Sequence, residues 1–276
     1  MHALDWHLVN SDLIEALPAR LMRERVRANA DARALAQAPW LLRRKRDGRF
    51  LAVTGNGRFT ALVPRLASEP GLADILAALA APHERAGQPF ELPLDGLLAH
   101  LHVLGLDQSY GEAVGLPLVP EPARLEFAGH DRYRRPLWLL DPAARAWRRM
   151  RAAALADDIT LEAISGYRSH AYQLGIFERK LARGLTLPQV LAVNAAPGFS
   201  EHHGGCAIDI GTPGQPPAEE SFEATPAFAW LHRRAGDFGF RMSYPRGNPH
   251  GIVYEPWHWR WHGVRGAHAE VSPGSV

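Results

Sequence analysis

Two turn signals placed close together constrain this chain more than any other local feature. Asp47-Gly48 and Gly55-Asn56-Gly57 punctuate three short runs, WLLRRK, RFLAVT and RFTALV. Gly and Asn in such doublets supply the positive φ that tight hairpins need. Apolar and β-branched runs separated in this way predict a three-stranded meander over residues 40–63. Before it, residues 12–37 carry Leu13, Leu17, Leu21, Val26 and Leu35 among Arg, Glu and Ala, interrupted at Pro18. That spacing predicts one or two amphipathic helices. Helical patterns recur over 72–79 and 94–104. The basic run from Arg43 to Arg46 reads as a solvated strand end beside a turn, not as a nucleic-acid patch.

Proline concentrates in GLPLVPEP, residues 115–122, and proline in series resists regular structure while stiffening a connection. A domain boundary is expected there. Residues 1–120 form a smaller α+β region of helices and meander with no assigned role, and residues 121–276 a second domain. In that second part, residues 141–156 read as a helix with Asp141 capping and Pro142 at its first position. The segment TLEAIS reads as a strand, 172–183 as a helix with a shorter one after Thr186, 206–210 as a strand and 228–238 as a helix. Residues 253–261 are aromatic, extended and interrupted by Pro256. Trp230, Phe238 and Phe240 are expected in the core. Strands mixed with helices of unequal length indicate an α+β class rather than a regular βαβ winding.

Composition excludes several function classes. Of the 276 residues, 46% are hydrophobic and 22% charged, ordinary globular usage. The 31 Lys and Arg nearly balance 29 Asp and Glu, leaving +2, so no phosphate-tracking surface and no nucleic-acid partner are expected. No apolar run is long enough to span a bilayer. The N-terminal segment carries Asp5 and Asp12 and lacks the pattern of a secretory leader, and the lone Cys206 fits a reducing compartment. A cytoplasmic location is expected, with delivery outside the cell by another route as the alternative. Oligomeric state has no signature in the sequence.

Three segments of the second half gather groups that a catalytic metal site needs: SGYRSHAYQ (165–173), SEHHGGCAID (200–209) and YEPWHWRW (254–261). A histidine and an aspartate seven positions apart could by themselves be an exposed His and a capping Asp. In company with the other two blocks they point to a metal. The three blocks resemble the signature segments of the VanY-type D-alanyl-D-alanine carboxypeptidases, within the LAS group of zinc peptidases, over residues 125–262.

The resemblance implies an LAS-type domain with a small mixed or antiparallel sheet and flanking helices. In the family's Ser-x-His-x-x-Gly-x-Ala-x-Asp pattern, Ser200, His202, Gly205, Ala207 and Asp209 occupy the specified positions, which makes His202 and Asp209 metal ligands. The family's Glu-x-x-His falls on Glu255 and His258, the implied catalytic base and third ligand. A single Zn2+ held by two imidazoles and a carboxylate keeps its fourth position open for water. A carboxylate beside that water is suited to take its proton and pass it to the departing amine. Pro256 pushes Glu255 toward extended backbone, so base and ligand are expected on a strand or bend rather than on a helix.

Arg168 is the candidate for stabilising developing negative charge, since its own charge never titrates. The resemblance places the substrate's terminal carboxylate beside Ser200, with Gln173 and Ser169 as further pocket residues and Trp257 and Trp259 as walls. His203 reads as a supporting or surface residue, and His170, His250 and His262 receive no role. Cys206 reads as a small buried residue rather than a nucleophile. The implied substrates are peptidoglycan-derived peptides with a C-terminal D-alanine. With a cytoplasmic location, L,D-cleavage of tetrapeptide muropeptides in wall recycling is the first expectation and D,D-cleavage of pentapeptides the second. A peptidoglycan endopeptidase of the lysin or effector type and a non-enzymatic binding protein on the same fold are the rivals.

Overall fold

The computed structural model describes residues 6–25, 38–55, 58–81, 91–107 and 109–263. Two antiparallel sheets organise them. The first has seven strands: β1 (His7–Asn10), β2 (Ile14–Pro18), β3 (Trp40–Arg44), β4 (Phe50–Gly55), β5 (Arg58–Ala61), β6 (Arg124–His130) and β7 (Pro136–Leu139). Their order across the sheet is β5-β4-β3-β2-β1-β6-β7. The expected meander is present as β3, β4 and β5, and its Asp47-Gly48 turn places Gly48 at φ 69°.

The helix expected from residue 12 is instead the β1–β2 hairpin followed by a 3-10 segment, Ala19–Arg25. Positions 26–37 of that expectation lie outside the described residues. The reason is burial on both faces. All five residues of β2 are buried, with Leu8 and Leu17 in a core cluster on one face and Val9, Ile14 and Ala16 in a cluster on the other. A strand buried on both faces shows no alternation of apolar and polar residues, so periodicity does not reveal it.

Of the run from Arg43 to Arg46 only Arg46 is exposed as a solvated end would be. Lys45 is fully buried with its Nζ 2.7 Å from Glu121, Arg43 pairs with the buried Glu15 at 2.6 Å, and Arg44 pairs with Glu69 and Asp47.

Helices α1 (Leu72–Ala80), α2 (Leu97–Val103) and α3 (Ser109–Val114) follow. The boundary placed at residue 120 falls inside one continuous sheet. β6 and β7 come after it in the chain, yet β6 pairs with β1 through His7↔Glu126, Leu8↔Leu125 and Val9↔Arg124. Hydrogen bonds, rather than a linker, join the two parts.

The second sheet has four strands in the order β10-β11-β9-β8: β8 (Glu162–Ser165), β9 (Ala207–Gly211), β10 (Phe240–Met242) and β11 (His258–Trp261). Against it pack α4 (Asp141–Ala156) and α7 (Pro226–Arg234), burying Trp147, Met150, Ile208, Ile210, Phe222, Trp230 and Phe240 in one core. In α4 the cap is Leu140, so Asp141 starts the helix rather than capping it and Pro142 sits at the second position. Helices α5 (His170–Ala182) and α6 (Leu187–Leu191) complete the second half. Thr186 and Gln189 form the capping box of α6. No helix among the described residues is long and apolar enough to cross a membrane.

Candidate metal centre

Sheet register builds the centre. On the antiparallel strands β9 and β11, Asp209 and His258 are direct cross-strand partners, which sets their Cβ atoms about 5 Å apart on one face. On the other side of β9, Ser165 is the partner of Asp209, so the segment that continues into Gly166, Tyr167 and Arg168 starts beside the same carboxylate. His202 comes from a 3-10 turn, Glu201–Gly204, that ends at Gly205 with φ 67°. A Cβ on Gly205 would also lie 2.5 Å from Leu125 and 2.9 Å from the backbone nitrogen of Leu140. Only glycine serves there, and the Leu140 N–H donates to the Gly205 carbonyl at 2.8 Å.

Glu255 reaches the centre through a β-turn. The His258 N–H donates to the Glu255 carbonyl at 3.1 Å, with Pro256 at the second turn position, where its fixed φ is preferred. The bend expected for base and ligand is this turn.

Hydrogen bonds fix which atoms face inward. Nδ1 of His202 lies 2.7 Å from the Gly166 carbonyl and donates to it, leaving the Nε2 lone pair 3.3 Å from Asp209 Oδ2. Nε2 of His258 lies 2.8 Å from Glu201 Oε2, leaving Nδ1 3.1 Å from Asp209 Oδ1 and 3.8 Å from Glu255 Oε2. One donor atom each from His202, Asp209 and His258 lie within 4.8 Å of one another, and all three residues are buried.

The electrostatics suit a cation. Burial lowers the pKa of His202, keeping it neutral with a free lone pair. Burial alone would raise Asp209, but the two imidazoles hold its carboxylate well below the usual range. Burial would lower His258, yet the hydrogen bonds it donates to Asp209 and Glu201 raise it to about 10. Two carboxylates thus demand positive charge at this point, and a dication on the same donor atoms meets the demand in place of a proton. Burial, the largest effect, pushes Glu255 up to about 7, in the range that suits a general base.

The three ligands, Glu255, Arg168, Ser200 and Trp257 line a cavity of about 310 Å³. Nη1 of Arg168 donates to Gln173 Oε1 at 2.9 Å and Nη2 lies 3.9 Å from Asp209, so the guanidinium is held at the rim of the metal position. Ser200 is buried at the cavity wall, and among the described residues its side chain makes no capping bond.

Gln173 borders the cavity as expected, where its Oε1 accepts from Arg168 and one Nε2 hydrogen is donated to the Ala195 carbonyl at 2.8 Å, so it orients Arg168. Two expectations are corrected. Ser169 is the cap of α5, accepting from the Tyr172 N–H at 3.1 Å, and does not line the cavity. Trp259 belongs to the core beneath β11 rather than to a pocket wall.

His203 supports the site from behind: its Nδ1 lies 2.6 Å from the Arg168 carbonyl, and its Nε2 accepts from the Gly198 N–H at 3.1 Å. Burial raises the Cys206 thiol, which keeps it un-ionised and agrees with a passive role. Among the residues of the site that escaped the sequence reading are Glu201 and Tyr244. Glu201 occupied a slot that the motif leaves unspecified, although an acid next to a ligand histidine was a usable signal. Tyr244, whose ring centroid lies 4.8 Å from that of His258, sits in no motif.

Comparison with known proteins agrees with this geometry. The family described as VanY, D-alanyl-D-alanine carboxypeptidase, matches residues 137–264. The bifunctional D-Ala-D-Ala dipeptidase and D-Ala-D-Ala carboxypeptidase VanXYC of Enterococcus gallinarum is 34% identical over 152 residues, covering 52% of this chain and 74% of that protein. The chain belongs to the VanY family. Membership of the VanY family, together with the His202, Asp209 and His258 group that could hold a metal ion, marks it as a metallopeptidase of α+β fold. A D-alanyl-D-alanine carboxypeptidase of Enterococcus faecalis is 34% identical over 125 residues, 42% of this chain and 45% of its own length. A solved LdcB LD-carboxypeptidase aligns with 32% identity and a TM-score of 0.44 over 46% of this chain and 61% of that one. The matched VanY region contains His202, Asp209, His258, Glu255 and Arg168, and starts inside β7.

Proposed function

We propose that this protein is a zinc carboxypeptidase that removes a C-terminal D-alanine from peptidoglycan stem peptides. The observation that carries the reading is the convergence of His202 Nε2, Asp209 and His258 Nδ1 at one end of a cavity that also presents Glu255 and Arg168. A zinc ion held there supplies Lewis acidity toward the scissile carbonyl and lowers the pKa of an attacking water. Glu255 takes the proton of that water and returns it to the departing amine. Arg168, fixed by Gln173, presents its guanidinium to the negative charge that develops on the carbonyl oxygen.

Two bonds are open to such a site, the D,D bond of a pentapeptide and the L,D bond of a tetrapeptide. The L,D expectation rested on location rather than on a residue of the cavity. The D-Ala-D-Ala activities in the name of the E. gallinarum relative support the D,D reading. The purified protein, treated with a chelator, repleted with zinc and incubated with defined tetra- and pentapeptides, is expected to release D-alanine from the pentapeptide only when zinc is present. Release from the tetrapeptide alone would return the reading to L,D-cleavage. Metal-independent release would overturn the zinc mechanism.

A further inference from the structure

Along α5, Gln173 and Lys180 both face the cavity. They are seven positions apart, two turns on one side of the helix. Long helical side chains lean toward the helix N-terminus, which directs the Lys180 ammonium back toward Gln173 and the metal position. Among the described residues Lys180 has no ion-pair partner, whereas Arg168 is committed to Gln173, Ser165 and Asp209. The charge of Lys180 is repelled by Arg168 and attracted by Glu255, so it lies within electrostatic reach of both groups that act on the scissile bond.

A carboxypeptidase recognises a free carboxylate one residue beyond the carbonyl it attacks. That carboxylate enters a cavity already holding Asp209 and Glu255, and a countercharge is needed to offset the repulsion. Gln173 and Ser200 line the same cavity but are both neutral, so neither supplies that charge. We infer that Lys180 binds the C-terminal carboxylate of the substrate peptide, with the Ser200 hydroxyl as its neutral partner. The inference rests on the carboxypeptidase reading and adds the residue that makes the enzyme read a free chain end.

The test compares wild type, Lys180→Met and Lys180→Arg on three forms of one D-alanine-terminated stem peptide: the free acid, its C-terminal amide, and a free acid whose upstream side-chain carboxylate is amidated. For the free acid, Lys180→Met is expected to raise KM about 10- to 100-fold, the loss expected for one charge-assisted contact, with kcat within about threefold of wild type. Its preference for acid over C-terminal amide should collapse, and Lys180→Arg should restore most of it. Unchanged melting temperatures would show that the variants fold. An unaltered KM and acid preference in Lys180→Met overturns the inference, as does a loss confined to the upstream carboxylate. If wild type releases D-alanine from no stem peptide, the carboxypeptidase reading itself fails and the inference falls with it.

Discussion

Glu201 illustrates how much of this site is decided one residue away from a ligand. Its carboxylate meets His258 Nε2 at 2.8 Å, the Ser243 hydroxyl at 2.6 Å and Arg260 at 3.2 Å. Burial would raise its pKa, but these partners bring it to about 2, so it stays ionised and fixes the imidazole with Nδ1 toward the metal. Loss of such an outer carboxylate commonly costs about 10- to 100-fold in metal affinity or activity. Glu201→Ala is therefore expected to weaken zinc binding by that factor in a competition titration, and Glu201→Gln by less. Equal zinc affinity in wild type and Glu201→Ala would remove the role.

Glu255 makes a separate prediction, because it acts as a base only when deprotonated. Since burial raises it toward 7, kcat/KM should climb with pH along an acid limb, and a bound dication, by favouring the carboxylate, moves that limb below 7. Glu255→Gln should retain zinc and lose about 10²- to 10⁴-fold in kcat. A variant that kept its rate would assign the base elsewhere. The convergence of His202, Asp209, His258 and Glu255 on one cavity was legible in the sequence because they fall at fixed spacings within short motifs. Ser169 was misread because a motif names a residue but not the direction in which its hydrogen bonds point.

Between elements, the buried Lys45–Glu121 pair ties the end of β3 to the segment ahead of β6. Glu121 also accepts from the Tyr167 hydroxyl and, at 2.8 Å, from the His170 N–H, the residues that flank Arg168 and Ser169. From there the chain of contacts continues through the edge-to-face rings of His170 and His203, 4.3 Å apart, to the Arg168 carbonyl. Nothing local announced this. Lys45 stands in a run of four basic residues, its partner lies 76 positions away in a proline-rich stretch, and long-range pairing leaves no periodic trace. Helices over 72–80 and 141–156 and the meander were legible because their patterns are local.

Burial would raise Glu121, but the charges of Lys45 and His170 and the hydrogen bonds from Lys45 and Tyr167 bring it from 4.5 to about 2. A carboxylate held low in the fold stabilises it above its unfolded pKa. That contribution, about 3 kcal/mol, should be lost as pH falls from 4.5 toward 2. Lys45→Met leaves the carboxylate buried without its cation and should cost about 3–5 kcal/mol in denaturant unfolding at neutral pH. Much of that loss should return in Lys45→Met/Glu121→Gln. A single variant as stable as wild type would show that the pair contributes nothing.

At the scale of the whole molecule, the described strands ahead of residue 120 share one sheet with β6 and β7. Leu8, Leu17, Met22, Leu41 and Val53 share one cluster with Leu125 and Trp138, so the core of the seven-stranded sheet is assembled from both sides of the proline-rich stretch. A chain starting at residue 121 would expose the β6 edge that β1 now covers, turn Leu125 and Trp138 to water at about 1.5–3 kcal/mol per large side chain, and leave Glu121 without Lys45. Unpaired edges with apolar faces aggregate. Expressed alone, residues 121–276 should therefore be insoluble or lack a cooperative melting transition, although they contain every ligand and the base. A monomeric fragment with a sharp transition and full D-alanine release would show instead that the VanY-matched region folds by itself, and that the N-terminal strands serve something other than the stability of the site.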